Sequence, residues 1–338
     1  MIVNKIFSWQ TPIWRRIIAD KKRLPHAILL RGKSGIGKLG FAISLSQSLL
    51  CAQANADDQA CGTCPSCGWF AQDNHPDFRL IAPEQDAEKE EGSSTKTTKK
   101  KTQIVIDQIR GLSDFLSLSS HKSDGLRIVV IHPAEGLNSA AANALLKMLE
   151  EPPANVVFIL VAHQSHKIIP TIMSRCQKID MPVPTTSEAL AWMRENGIEA
   201  PEALLSYAGG SPLMAINDAE EVALASIEIG KLLSLGAKAD IFQLTSICLA
   251  LGIENAVNAL QKWCYDLLHY HFTQKVRYHQ NQESVLKKLA QQVILTRLLE
   301  FQSTLSNAKK SANHPLNNEL QLERLFLHYI QIFDCAKL

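Results

Sequence analysis

The chain has no apolar run long enough to cross a bilayer, which excludes a helical membrane span. Its start, "MIVNKIFSWQTPIWRR", lacks an uninterrupted apolar core and a small-residue cleavage site, so no secretory leader is read there. A cytoplasmic location is the expectation, and in that compartment clustered cysteines are metal ligands sooner than disulfides. Charge of one sign is also missing. Thirty-five Lys and Arg against 33 Asp and Glu leave +2, which argues against nucleic-acid binding by bulk electrostatics. At 338 residues the chain is too long for one ordinary core, so two or three domains are expected.

A second set of absences is local. "LLRGKSGIGKLG" (29–40) follows the phosphate-loop pattern G-x-x-x-x-G-K through Gly32, Gly37 and Lys38, with Gly35 between them. The pattern then requires Ser or Thr to ligate Mg²⁺, and Leu39 stands there. A working ATPase also needs a carboxylate at the end of a neighbouring strand, often followed by a glutamate that activates water. The candidate strand "RIVVI" (127–131) runs instead into His132 and Pro133. An imidazole is a poor ligand for Mg²⁺, which prefers hard oxygen, and proline supplies no base. Glu135 lies two residues beyond Pro133 and is expected to point elsewhere. These losses predict a chain without ATPase activity of its own and without Mg²⁺. Nucleotide binding through Gly32, Gly35, Gly37 and Lys38 is doubtful.

What is present is an alternation of strands and helices. "HAILLR" (26–31) leads into the glycine loop, and Leu39, Ala42, Ile43, Leu49 and Leu50 follow at helical spacing. "RIVVI" and "VVFILV" (156–161) are continuous aliphatic runs of the kind buried on both faces of a parallel sheet. Between them Ala142, Leu145, Leu146 and Leu149 form a helical stripe that Pro152 and Pro153 end. An α/β fold with a parallel sheet and flanking helices follows. Residues 84–102 carry an acidic block, a Ser/Thr stretch and a lysine cluster, and read as a flexible insertion. After "MPVPTTSE" (181–188) the chain is helical. "SEALAWMRENG" reads as a helix with a serine cap and a glycine stop.

Cys51, Cys61, Cys64 and Cys67 are spaced C-x9-C-x2-C-x2-C. Four thiolates satisfy tetrahedral Zn²⁺ and leave no open position, so a structural zinc is the reading. An iron–sulfur centre is the weaker one, because the ferredoxin run continues x3-C-P and here Gly68-Trp69-Phe70-Ala71 follow. A cluster without metal is the remaining alternative. Cys176, Cys248, Cys264 and Cys335 are scattered and read as core residues.

Taken together, "LNSAAANALLKMLEEPP", "TIMSRC", "CGTCPSC" and "NHPDF" resemble the bacterial sliding-clamp loader, an AAA+ ATPase assembly of DNA polymerase III. The resemblance covers about residues 1–215, and "HPLNNELQLERLFLHY" (314–329) is similar to the closing helix of the family's collar. It implies an AAA+ α/β domain over 1–181 with a zinc module near 51–67, a helical lid over 182–222, and an all-α collar over 223–338. In that family delta, delta-prime and three gamma/tau subunits form a pentamer that loads the clamp on primed DNA. The degenerate nucleotide site sets this chain apart from gamma/tau, so the resemblance implies a scaffold subunit with gamma/tau, delta, clamp and primer–template as partners. The family's "SRC" motif falls on Ser174-Arg175-Cys176. Its arginine reaches the neighbouring subunit's ATP, so Arg175 is the expected finger in trans. A local salt bridge is the other reading of Arg175. After Gly210-Ser211, where the family has a lid arginine, Pro212-Leu213 stand. Two other functions are weighed: an active AAA+ ATPase in which Glu135 replaces His132, and an autonomous zinc-dependent nucleic-acid-binding module.

Overall fold

The computed structural model describes residues 6–55, 57–84, 103–117, 125–217, 220–311 and 317–333. It divides into two compact units, Met1–Pro184 and Thr185–Leu338.

The first unit is built on a five-stranded parallel sheet. Its elements run α1 (Thr11–Ala19), β1 (Ala27–Arg31), α2 (Lys38–Leu50), α3 (Pro65–Ala71), β2 (Phe78–Ile81), α4 (Ile106–Ser117), β3 (Arg127–Ile131), α5 (Ser139–Glu150), β4 (Val156–Ala162), α6 (Pro170–Arg175) and β5 (Gln177–Asp180). The strand order is β2-β3-β4-β1-β5. Every residue of β3 and β4 is buried, as their unbroken aliphatic runs predict. Alternation then divides the side chains between two cores. Ile28, Leu30, Val130 and Ile159 pack with Trp14, Phe41 and Leu45 on one face. Leu29, Val129, Phe158 and Leu160 pack with Ile109, Leu112 and Leu145 on the other. Edge strand β2 is different, with Leu80 42% exposed.

Local signals set the helix ends. Asn138 caps α5 by accepting from the Ala141 N–H at 2.8 Å. The segment "NHPDF" is a bracket. The Asp77 N–H donates to His75 Nδ1 at 3.0 Å, which leaves Nε2 protonated and facing Ser66 Oγ at 2.8 Å. Ser66 in turn donates to the Leu50 carbonyl at 2.8 Å. That chain ties the end of α2, the cysteine module and the entry to β2 together.

The second unit is helical: α7 (Thr186–Glu195), α8 (Pro201–Tyr207), α9 (Pro212–Asn217), α10 (Glu220–Leu233), α11 (Ile241–Leu251), α12 (Ile253–Thr273), α13 (Glu283–Ala290), α14 (Leu295–Ser311) and α15 (Asn318–Gln331). The cap of α7 is Thr185 rather than the serine two residues on. Thr185 and Glu188 form a reciprocal capping box, which outcompetes Ser187 because only Thr185 has its glutamate partner three residues ahead. One small core joins α7–α9 around Met193 and Leu205. A larger one joins α10–α15 around Trp263, Phe326 and Tyr329. Within it Trp263 Nε1 donates to the Tyr329 hydroxyl at 2.9 Å, and that hydroxyl donates to the Leu233 carbonyl at 2.6 Å. Cys176, Cys248 and Cys264 are buried core residues. Cys335 lies outside the described residues, as does the expected insertion beyond Glu84. Among the described residues no helix is long and apolar enough to cross a membrane.

Candidate functional site

The glycine loop follows β1 and opens α2, at the carboxyl edge of the sheet where parallel α/β folds place their ligands. Gly35 and Gly37 hold φ of +74° and +87°, in the left-handed region that glycine adopts without strain. Gly37 has a second reason: a Cβ there would lie 2.4 Å from the Phe7 ring. Phe7 stacks on Trp9, with centroids 4.6 Å apart. The Trp9 indole and the Gln10 amide both donate to the Ile36 carbonyl, at 3.1 and 3.0 Å. Residues 7–10 thus brace the crest of the loop. Sequence reading missed this brace, because "FSWQ" lies far ahead of the loop in the chain and meets it only in the fold.

Lys38 is turned inward. It is 2% exposed, and its ammonium donates to the carbonyls of Gly32, at 2.7 Å, and Lys33. Burial pushes its pKa down to about 8, with Glu135 pulling the other way. Leu39, which replaces the hydroxyl residue, packs against the sheet core around Phe41 and Leu45.

At the ends of β3 and β4 stand two imidazoles. His132 Nε2 and His163 Nε2 are 3.0 Å apart, in a T-shaped contact. Burial lowers the pKa of both, that of His163 to about 4 with Lys38 and His132 adding to the effect. Glu135 does not point away. Its Oε1 accepts from the N–H groups of His163 and Gln164, at 2.9 and 3.1 Å. The parallel pairing of β3 with β4 brings those amides to it, a relation that spacing along the chain does not carry. A carboxylate therefore stands within electrostatic reach of Lys38, but one oxygen is committed to backbone amides.

The four cysteines predicted as ligands do converge. Their Sγ atoms all lie within 4.8 Å of one another, with four of the separations at 3.6, 3.8, 3.8 and 3.9 Å. A tetrahedron of thiolates about 2.3 Å from zinc has edges of about 3.8 Å, so the donor set fits such an ion. Backbone N–H groups of Gln53 and Cys61 point at Cys51 Sγ, and those of Thr63 and Cys64 at Cys61 Sγ. These donors favour the thiolate form a metal requires, and the pKa of Cys61 falls to about 6.

Arg175 closes α6. Its Nη1 donates to the Thr171 carbonyl at 3.0 Å, and Nη2 lies 2.5 Å from Glu150 Oε1 at the end of α5. Both side chains keep solvent contact, at 33% and 49% exposure. After Gly210, Ser211 is fully buried and followed by Pro212 at the first turn of α9.

The profile of the family described as "DNA polymerase III, delta subunit" matches residues 11–185. The chain belongs to this family. Its curated relatives include proteins named DNA polymerase III subunit delta′. That of Pseudomonas aeruginosa is 38% identical over 214 residues, 62% of this chain and 60% of the relative. That of Haemophilus influenzae is 31% identical over 224 residues, 65% and 63% respectively. The match thus spans somewhat under two thirds of these delta′ subunits. Among solved structures, a DNA polymerase III gamma subunit-related protein from Thermotoga maritima aligns with 96% of this chain and 99% of its own, at 20% identity and a TM-score of 0.44.

Proposed function

We propose that this chain is a non-catalytic subunit of the clamp loader of the replicative DNA polymerase III. It serves as a rigid scaffold and lends Arg175 to the ATP site of a neighbouring gamma/tau subunit while the sliding clamp is loaded on primed DNA. Membership of the delta-subunit family and the delta′ relatives support the setting. The observation that carries the non-catalytic reading is the state of the loop. Lys38 satisfies its own loop carbonyls, Leu39 packs against the core, and imidazoles stand where Mg²⁺ would need hard oxygen.

In this reading the first unit is the AAA+ domain, α7–α9 the lid and α10–α15 the collar. Cys51, Cys61, Cys64 and Cys67 hold a structural zinc that staples the segment between α2 and α3. With all four positions taken by thiolates the ion fixes shape rather than activating water. Arg175 acts by charge. A guanidinium presented to the γ-phosphate stabilises negative charge developing in transfer, which is worth roughly 10³–10⁵ in rate at the site it completes. Reaching across requires Arg175 to exchange Glu150 for phosphate.

The deciding experiment is the ATPase rate of the purified chain alone, then with gamma/tau, delta, clamp and primed DNA, with wild type and Arg175→Ala. No turnover alone, turnover in the mixture, and loss with the variant are expected. Turnover by the chain alone would favour the second reading, an active ATPase relying on Glu135, for which the proximity of Glu135 to Lys38 is the specific observation.

A further inference from the structure

The carboxyl ends of β3 and β4 carry two imidazoles that the reading above treats only as an obstacle to Mg²⁺. Strand pairing puts His132 and His163 side by side. Their Nε2 atoms are 3.0 Å apart, and their ring centroids 5.0 Å apart at 85°. As a bare contact this is one hydrogen bond, in which one ring donates and the other accepts. The same geometry suits a shared ion. Metal–nitrogen bonds of about 2.0–2.1 Å turn such a separation into an N–metal–N angle of about 94°, and the angle becomes tetrahedral at about 3.4 Å. A small shift of two half-buried side chains is all that separates the two arrangements.

The surroundings point the same way. Among the described residues, Glu135 Oε2 and His163 Nδ1 are buried with no hydrogen-bond partner. Buried polar atoms left over in a folded chain call for an explanation such as a bound ion or water. An ion on His163 Nε2 fixes the ring proton on Nδ1, and histidines that bind metals donate that proton to a carboxylate or carbonyl. The spare oxygen of Glu135 is an acceptor of this kind, on a side chain that already holds the His163 backbone N–H through Oε1. The charges within reach of His163 are Lys38 and Glu135, of opposite sign, and the ammonium is engaged with the carbonyls of Gly32 and Lys33. Burial keeps both rings neutral at pH 7, the form that ligates. The donors set the class of ion: imidazole suits Zn²⁺, Ni²⁺ and Cu²⁺, whereas Mg²⁺ keeps to oxygen. Among the described residues only the four cysteines bring three or more ligand atoms together, so here the protein supplies two and binding is weaker than at the thiolates.

We propose that His132 and His163 form a second zinc site, separate from the cysteine module, with Glu135 orienting His163 and water in the remaining positions. The site does not depend on the chain's place in the clamp loader. The test uses the untagged full-length chain, first given one equivalent of zinc and then titrated with more by calorimetry at neutral pH. One further equivalent is expected to bind. His132→Ala and His163→Ala are each expected to weaken it at least tenfold, and Glu135→Gln by about tenfold. His166→Ala, on the exposed turn beyond β4, is expected to change nothing, and millimolar Mg²⁺ is expected not to compete. Should an alanine variant lower the melting temperature, wild type decides: zinc is expected to protect His132 and His163 from diethyl pyrocarbonate, read by peptide mass spectrometry. No further equivalent, an equivalent kept by both alanine variants or displaced by Mg²⁺, or equal modification of the two rings with and without zinc would overturn the proposal. An equivalent lost with His166→Ala instead would overturn it too, in favour of adventitious surface binding.

Discussion

Arg175 and Glu150 are joined by a 2.5 Å contact between the ends of α6 and α5. The pair turns the arginine back on its own subunit, and a partly exposed pair of this kind is worth little, about 0–1 kcal/mol. A nearby phosphate can therefore outbid Glu150 at low cost. If Arg175 serves as the proposed finger, Arg175→Ala is expected to slow hydrolysis at the adjoining gamma/tau site by about 10³-fold or more without changing this chain's melting temperature. Glu150→Gln removes the competitor, and stimulated turnover is expected to hold or rise. Normal turnover with Arg175→Ala, in a reconstituted assembly under multiple-turnover conditions, would remove the finger role.

The cysteine module lends itself to a metal assay. Cys64→Ser takes away one corner of the thiolate tetrahedron and is expected to lower zinc below stoichiometry by atomic emission. A local loss of about 3 kcal/mol would lower the first unit's melting temperature by roughly 6–12 °C. Stoichiometric zinc in the variant would contradict the ligand set.

Lys38 gives a pH signature. Its pKa of about 8 lies below the 10.5 of a free lysine, so the unfolded chain holds the proton more tightly. Below pH 8 both states carry it, and burial of the charge opposes folding throughout. Between about pH 8 and 10.5 the native state sheds the proton first, so this contribution to stability rises with pH. Against Lys38→Met, which has nothing to titrate, wild type is expected to gain up to about 3 kcal/mol across that window. Parallel denaturation curves at pH 8 and 10 check it. A flat difference would mean that the loop carbonyls hold the ammonium charged.

Much of the first unit was legible because its signals are local. "RIVVI" and "VVFILV" are buried over every residue, and a strand–glycine loop–helix needs no partner to be recognised. The cysteine spacing likewise predicted a cluster that the structure assembles. What stayed hidden depends on pairing. The residues "FRLI" do not announce a strand, since Arg79 and Leu80 face outward at the sheet edge. His163 meets His132 only because β4 lies beside β3, and Glu150 reaches Arg175 across 25 residues. Glu135 was expected to face elsewhere for the same reason: its partners are amides just beyond the end of β4.

The brace on the loop separates shape from chemistry. Gly37→Ala forces φ of +87° on a residue with a Cβ and drives that carbon toward the Phe7 ring. Strain of this kind costs of order 1–3 kcal/mol before the clash is added. Lys38→Ala, by contrast, is expected to leave clamp loading nearly unchanged, since nothing in the proposed mechanism passes through the ammonium. If the loop is kept for its shape, Gly37→Ala should lower both stability and clamp loading, and Phe7→Ala should recover part of the stability in the double variant by removing the obstructing ring. A double variant no better than the single one would place the whole penalty in the backbone. Loading lost on Lys38→Ala while the fold stays intact would instead show that the loop still holds a phosphate.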